Sequence, residues 1–333
     1  MKFRSLFVIF ILIAFSGLKS FAQFPLQVPL TGNTGISQSD DMFMDWASGC
    51  SVQRGWLDIA NKSLGQATLG ADSDAIGFPG GSIVSLGDSG IAVLTFNYNI
   101  FNGDGPDFAV FENGFANPLD DTVAYLELAF VEVSSDGVNY FRFPATSNMQ
   151  DTLQIDNFSY SNCSGYNNLA GKYISGYGTP FDLDELKNIA GLDVNHISHV
   201  RLVDVIGSVD SLYGSRDMNN HIINDPYPSP YPSCGFDLSG VGVIHSLKPT
   251  TIAGIDKDLS IQVYPNPAEN NIHIDCKGLS NVDYRLTDLS GKQIYSGRFS
   301  EQTTLSLNNQ LQGLYFLYIE QGNHRGVCKI IKK

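Results

Sequence analysis

Asp104, Asp107 and Glu112 lie within one short stretch of chain, with Asn102 and Asn113 beside them. Hard cations such as calcium take six to eight oxygens from carboxylates, amides and carbonyls, and Gly-rich turns let the backbone curl around them. Asn102-Gly103-Asp104-Gly105 and Asp107 offer several such oxygens. Asp237, which opens the last strand of this part of the chain, joins them if that strand neighbours the turn. The pattern is not an EF-hand, because the twelfth-position Glu is out of register and flanking helices are absent. Two readings are open: a calcium site on Asp104, Asp107, Glu112 and Asp237, or ordinary Asx-turns with Glu112 facing solvent.

A second concentration runs from Asp217 to Cys234. It holds His221, Asp225, Tyr227 and Tyr231, interleaved with Pro226, Pro228, Pro230 and Pro232. Prolines stiffen a loop, and a stiff aromatic loop loses less freedom on binding. Tyr160, Tyr166, Tyr173 and Tyr177 decorate the other long loop. Tyr173, Tyr177, Asp225, Tyr227 and Tyr231 are therefore the candidate ligand-binding set, with rings to stack and a carboxylate to accept hydroxyls. The competing reading is that these loops pack on each other and bury their rings. Enzymatic readings are poorer. No HExxH or GxSxG motif occurs, and His196 and His199 do not share a strand face. A glycoside hydrolase built on Glu112, Glu127 or Glu132 is the enzymatic alternative.

The elements that must position these groups are strands. Ile91–Tyr98, Asp107–Glu112, Tyr125–Val133, His199–Val205 and Gly240–Ile244 read as apolar or alternating runs. Ser135-Asp136-Gly137 reads as a hairpin turn leading to Asn139–Phe143. One helix is predicted, over Asp182–Ile189, between Pro180 and Gly191. The excursions 23–86, 146–178 and 207–233 are long for connections and suit binding loops. The fold class expected is all-β: a jelly-roll-like β-sandwich body over 23–247, a linker over 248–259, and a small β-sandwich of about seven strands over 260–333.

Charge divides the chain at the same place. Residues 23–250 carry 26 Asp+Glu against 8 Lys+Arg, whereas 251–333 carry 8 against 9. So acidic a body repels phosphate backbones and anionic membranes, which excludes nucleic acid as the expected partner. Lys2 and Arg4, the apolar run Leu6–Phe15 and Ser20-Phe21-Ala22 read as a signal peptide over 1–22. No later segment is long and apolar enough for a membrane span. The context is thus oxidising, and five cysteines remain: Cys50, Cys163, Cys234, Cys276 and Cys328. A Cys276–Cys328 bond is plausible within the tail, and no pairing can be chosen in the body.

The tail carries a resemblance. Tyr264-Pro265-Asn266-Pro267, Leu289-Ser290-Gly291-Lys292, Gly313-Leu314-Tyr315 and the closing Lys332-Lys333 resemble the type A C-terminal sorting domain of the type IX secretion system of Bacteroidetes. That resemblance implies recognition by the type IX machinery through Tyr264, Pro265, Asn266, Pro267, Gly313, Tyr315, Lys332 and Lys333. It also implies a cell-surface or extracellular destination, with the tail cleaved and replaced by a lipopolysaccharide anchor. The body phrases Gly103–Gly114, Glu127–Gly137, Ala170–Tyr173, Gly178–Leu183, Val203–Ser208, Asp225–Pro228 and Gly235–Ile244 are similar to a poorly characterised group of bacterial cell-surface proteins. Val131–Tyr140 resembles the Ser-x-Asp-Gly strand end of discoidin-like, galactose-binding jelly rolls. Asp121-Thr122-Val123, Asp151-Thr152-Leu153 and Asp210-Ser211-Leu212 resemble the O-glycosylation sequon of Bacteroidetes, on Thr122, Thr152 and Ser211. The expected function is a non-enzymatic surface protein that binds carbohydrate, stabilised by calcium. Capture of a scarce nutrient such as a corrinoid for a TonB-dependent receptor is the runner-up, and a structural or adhesive role comes third.

Overall fold

The computed structural model describes residues 24–246, 261–322 and 324–333. The signal peptide and the linker expected from the sequence lie outside the described residues. The chain divides into two compact units, 1–248 and 249–333.

The body is a β-sandwich of two antiparallel six-stranded sheets. One sheet runs Ile36–Ser37, Tyr177–Phe181, Phe108–Glu112, Asp237–Val243 and Asp45–Trp46, with Val84–Ser85 also paired to Asp237–Val243. The other runs Phe141–Arg142, Ala129–Ser134, Ile197–Asp204, Ile91–Ile100 and Gly49–Gln53, with Leu169–Ala170 on Ala129–Ser134. Alternate residues of each strand meet between the sheets: Phe108, Val110, Val241 and Val243 from one, Leu94, Val131, Val133, Val200 and Leu202 from the other. Ala109 and Phe111 point the opposite way yet are also buried, because Ile36, Phe43 and Trp46 cover that face. Phe108–Glu112 is therefore buried on both sides, which is why its sequence shows no polar alternation. Outside the second sheet, Leu126, Leu128, Phe130, Tyr166, Tyr173 and Ile223 form a separate cluster under the long loops.

Three local expectations change. The Tyr125–Val133 run breaks into Ala124–Tyr125 and Ala129–Ser134. Between them the Leu128 amide donates to Asp225 and its carbonyl accepts from Val205, so that residue leaves the ladder. The predicted helix shrinks to a 3₁₀ turn, Leu183–Leu186, with Asp182 capping Asp184 and the Leu183 amide drawn to Asp107. Leu183 and Leu186 are buried three apart, as one turn of 3₁₀ requires. The hairpin holds, but its second strand is only Phe141–Arg142. Its turn is built by Asp136, which accepts from the Val138 and Asn139 amides, and by Gly137 at φ 75°.

The tail has a three-stranded sheet (Gln262–Tyr264, Asn271–Asp275, Gln302–Ser306) and a four-stranded one (Gln293–Phe299, Val282–Asp288, Gly313–Gln321, His324–Lys332). Ile272, Ile274, Val282, Leu286, Leu317, Ile319 and Ile330 fill its core. Asn266 bonds the Lys329 carbonyl at 2.6 Å and accepts from the Ile331 amide at 2.9 Å, so the opening turn is fastened to the last strand. Tyr315 is buried, with its hydroxyl on the Leu311 carbonyl. All five cysteines are free thiols. Cys276 and Cys328 share the tail core without forming the expected bond. Among the described residues no helix is long and apolar enough to cross a membrane.

Candidate functional site

The antiparallel registers gather acids at one end of the sandwich. Glu112 ends its strand opposite Leu238, next to Asp237. Asp204 ends its strand opposite Ala129, where the segment carrying Glu127 enters. Asp204 accepts from the Phe236 amide at 2.7 Å and from the Ser89 amide at 3.0 Å, which ties the two sheets together at this rim. Asp225 arrives on the long loop and accepts from Leu128 at 3.1 Å. Asp88 accepts from Ile59 at 2.7 Å. All six carboxylates are buried, and among the described residues none of them is in an ion pair.

Burial without a cation favours the protonated acid. Desolvation, and after it the charge of Asp237, pushes both Glu112 and Glu127 well above the usual carboxylate range. Asp204 and Asp225 are raised first by burial and then by Asp88 among their charged neighbours. Asp88 and Asp237 are each pushed up to about 6, again chiefly by burial. Asp237 is partly compensated by the Ser85 hydroxyl, by Asn113 at 3.1 Å and by the field of Arg54. Glu112 accepts from the Gly114 amide at 2.6 Å through Oε2, while its buried Oε1 has no partner.

Above these acids lies a cleft of about 460 Å³. Asn113, Glu127 and Asp237 supply its polar wall. Phe115, Tyr125, Phe158 and Tyr160 supply rings, of which Phe158 is 80% and Phe115 58% exposed. Single exposed rings are ordinary, but two lining one cleft make the kind of contiguous apolar surface that marks a binding site. Glu127 has one weak partner, the Tyr125 hydroxyl at 3.5 Å, which leaves its carboxylate open to the cleft.

The residues picked from the sequence are only partly brought together. Glu112 and Asp237 meet at this rim. Asp104 and Asp107 do not, because they sit at the far end of the Phe108–Glu112 strand, roughly 16 Å away at ~3.3 Å per residue. Asp104 is exposed. Asp107 is a clamp: it accepts from Gly103, Leu183 and His245, each at 2.7 Å. Among the described residues no three His, Cys, Asp or Glu side chains stand close enough to hold one metal ion. Tyr173 is 1% exposed and bonds Thr34, so it belongs to the core rather than to a ligand surface. Tyr177 is a half-buried strand residue packed on the second cluster, and Tyr227 is half-buried with its hydroxyl on Asp58 at 2.7 Å. Asp225 belongs to the acidic rim, and Tyr231 alone of that set shows its ring to solvent. Glu132 lies away from the rim, bridging Arg142 and Arg201. Thr122, Thr152 and Ser211 are all exposed. Sequence reasoning missed Phe115 and Phe158; the only available signal was an aromatic in a polar loop beside a strand end.

No curated protein sequence matches the chain. Solved structures of β-glucuronidase from Ruminococcus gnavus are similar only remotely. One with uronic isofagomine bound is 11% identical over 93% of this chain and 45% of its own, at a TM-score of 0.21. The apo enzyme is 11% identical over 89% of this chain and 46% of its own, at 0.22. The chain thus spans less than half the length of these enzymes, and likeness at that level carries no argument about either fold or activity. Residues 262–333 match the secretion system C-terminal sorting domain family, as the Tyr-Pro-Asn-Pro turn and the closing strand require. The tail is therefore a type IX secretion sorting domain, and the protein is one exported to the cell surface or the medium.

Proposed function

We propose that the body is a non-enzymatic carbohydrate-binding module, displayed or released by the type IX route, with the glycan seated in the cleft over the acidic rim. The observation that carries this reading is the pairing of exposed rings, Phe115 and Phe158, with the weakly partnered Glu127 carboxylate and the bonded pair Asp237 and Asn113 in one cleft wall. Sugar rings present apolar faces that stack on aromatics and hydroxyls that donate to carboxylates and amides. Among the described residues no three acids stand close enough to hold one metal ion, so the cleft is read through its rings and acids, and calcium remains a separate proposal.

The test is a glycan array followed by titration of the full chain, wild type and Phe158→Ala. A stacked ring is worth about 1 kcal/mol beyond its area, so the variant should bind at least roughly fivefold more weakly. A blank array together with a saturable cobalamin titration would replace the carbohydrate reading with nutrient capture. Two blank assays would leave a structural or adhesive role.

A further inference from the structure

We infer that the cleft selects glycans bearing a free, protonated amine, a deepening that rests on the carbohydrate reading above. The rim places Glu112, Glu127, Asp204, Asp225, Asp237 and Asp88 out of water with, among the described residues, no ion-pair partner. Arg54 is a cation whose field reaches Asp237, and its guanidinium is already bonded to the carbonyls of Leu69, Gly70 and Ser85. A neutral sugar satisfies hydrogen bonds but leaves this excess of acid uncompensated.

Glu112 gives a second, independent sign. It continues the inward register of Phe108 and Val110 and is buried immediately before Asn113, which lines the cleft. There Oε1 is buried and unpartnered, which is costly unless a donor or a positive charge comes near. A bare metal ion fits less well. Among the described residues no three acids stand close enough to hold one ion, and the cleft is many times the roughly 30 Å³ share of a single water. An ammonium group suits the site on three counts. It is a compact charge with three donors, it can address Glu127 and Asp237, and rings such as Phe158 and Tyr160 can face it with their π-clouds.

The probes are a glucosamine oligosaccharide and its fully N-acetylated counterpart of equal length, titrated calorimetrically into the full chain. At about pH 6 such an amine is charged, since amines beside electron-withdrawing groups titrate near the α-amino range of ~7.7–8. The free amine should bind at least tenfold more tightly, lose that advantage as salt is raised, and release protons to the buffer. Glu127→Gln, which keeps shape and removes charge, should shrink the preference towards parity with the unfolding midpoint unchanged; Asp237→Asn is the second variant. Equal binding of both oligosaccharides would overturn the inference and leave the carbohydrate reading standing. No binding of either by a protein that binds other glycans would do the same. A preference that survives both variants would place the amine elsewhere and overturn it. Binding abolished by a chelator and restored by calcium would replace the ammonium with a metal.

Discussion

Asp107 is where the fold can be tested most directly, because one carboxylate holds three segments. Its Oδ1 accepts from the Gly103 amide and from His245, and its Oδ2 accepts from the Leu183 amide. Its own carbonyl takes the Ile244 and His245 amides. Asp107→Ala leaves the Gly103 and Leu183 amides without an acceptor beside a residue that is fully out of water. Each orphaned amide costs about 1–3 kcal/mol, so a loss of roughly 3–4 kcal/mol is expected, set against a total of ~5–15 for a native domain. At a urea slope of about 3 kcal/mol/M the midpoint should fall by roughly 1 M. The assay is selective, since both tryptophans of the chain, Trp46 and Trp56, lie in the body. Tryptophan fluorescence therefore follows that unit and is blind to the tail. Asp107→Asn should also lose stability, because its amide nitrogen would confront a donor at one of the two oxygen positions. A midpoint within ~0.2 M of wild type for Asp107→Ala would mean that water replaces the clamp, and the reasoning would fail.

Stability should run against the usual acid trend near neutrality. Asp88 and Asp237 have folded values of about 6, above their ordinary 3.8, so the folded state holds more protons than the unfolded one between those limits. Their contribution is complete below the unfolded value and disappears as pH rises through 6. Asp58, Glu112, Glu127, Asp204 and Asp225 lie around them and act in the same sense, the Cys234 thiol beside them stays neutral in this range, and Arg54 acts against it. The melting midpoint should thus be several degrees higher at about pH 5 than at pH 8; a flat or rising profile with pH would contradict the buried rim. Gly207→Ala should destabilise the body by about 2 kcal/mol or more in urea, since a Cβ there would overlap Asp225 and push it off the Leu128 amide. Asn266→Ala should speed proteolysis of the tail and lower export into the medium or onto the surface, leaving body fluorescence unchanged. Phe158→Ala should leave the unfolding free energy in urea within about 0.5 kcal/mol of wild type, because the ring is largely in water before any ligand arrives.

The sheets were legible because strand runs such as Ile91–Tyr98 and His199–Val205 alternate or are uniformly apolar. The tail was legible from its turn and closing lysines. The site was harder, and the reason is geometric. Asp104, Asp107 and Glu112 are neighbours in sequence, but an extended strand carries Glu112 to the opposite end of the sandwich. Glu112, Asp204 and Asp237 are far apart in sequence, but each marks a strand terminus, Glu127 lies two residues before another, and antiparallel pairing brings those ends together. Acids at strand ends were visible; the order of strands that makes them neighbours was not. Tyr173 shows the converse. A tyrosine in a glycine-flanked loop looks like a platform, and only the Thr34 bond and the cluster around Leu126 reveal it as core.

Fastening Asn266 to Lys329 and Ile331 gives the export label a property of its own. The opening strand pairs with Asn271–Asp275, but the turn that follows it, through the Asn266 side chain and the Ala268 backbone, finds its partners only in Lys329, Ile331 and Lys333. A nascent chain that stalls short of Ile331 presents the turn with its fastening missing. The turn of the label is thus closed only when the strand His324–Lys332 is in place, and a secretion apparatus that reads the closed turn would pass over chains lacking that strand.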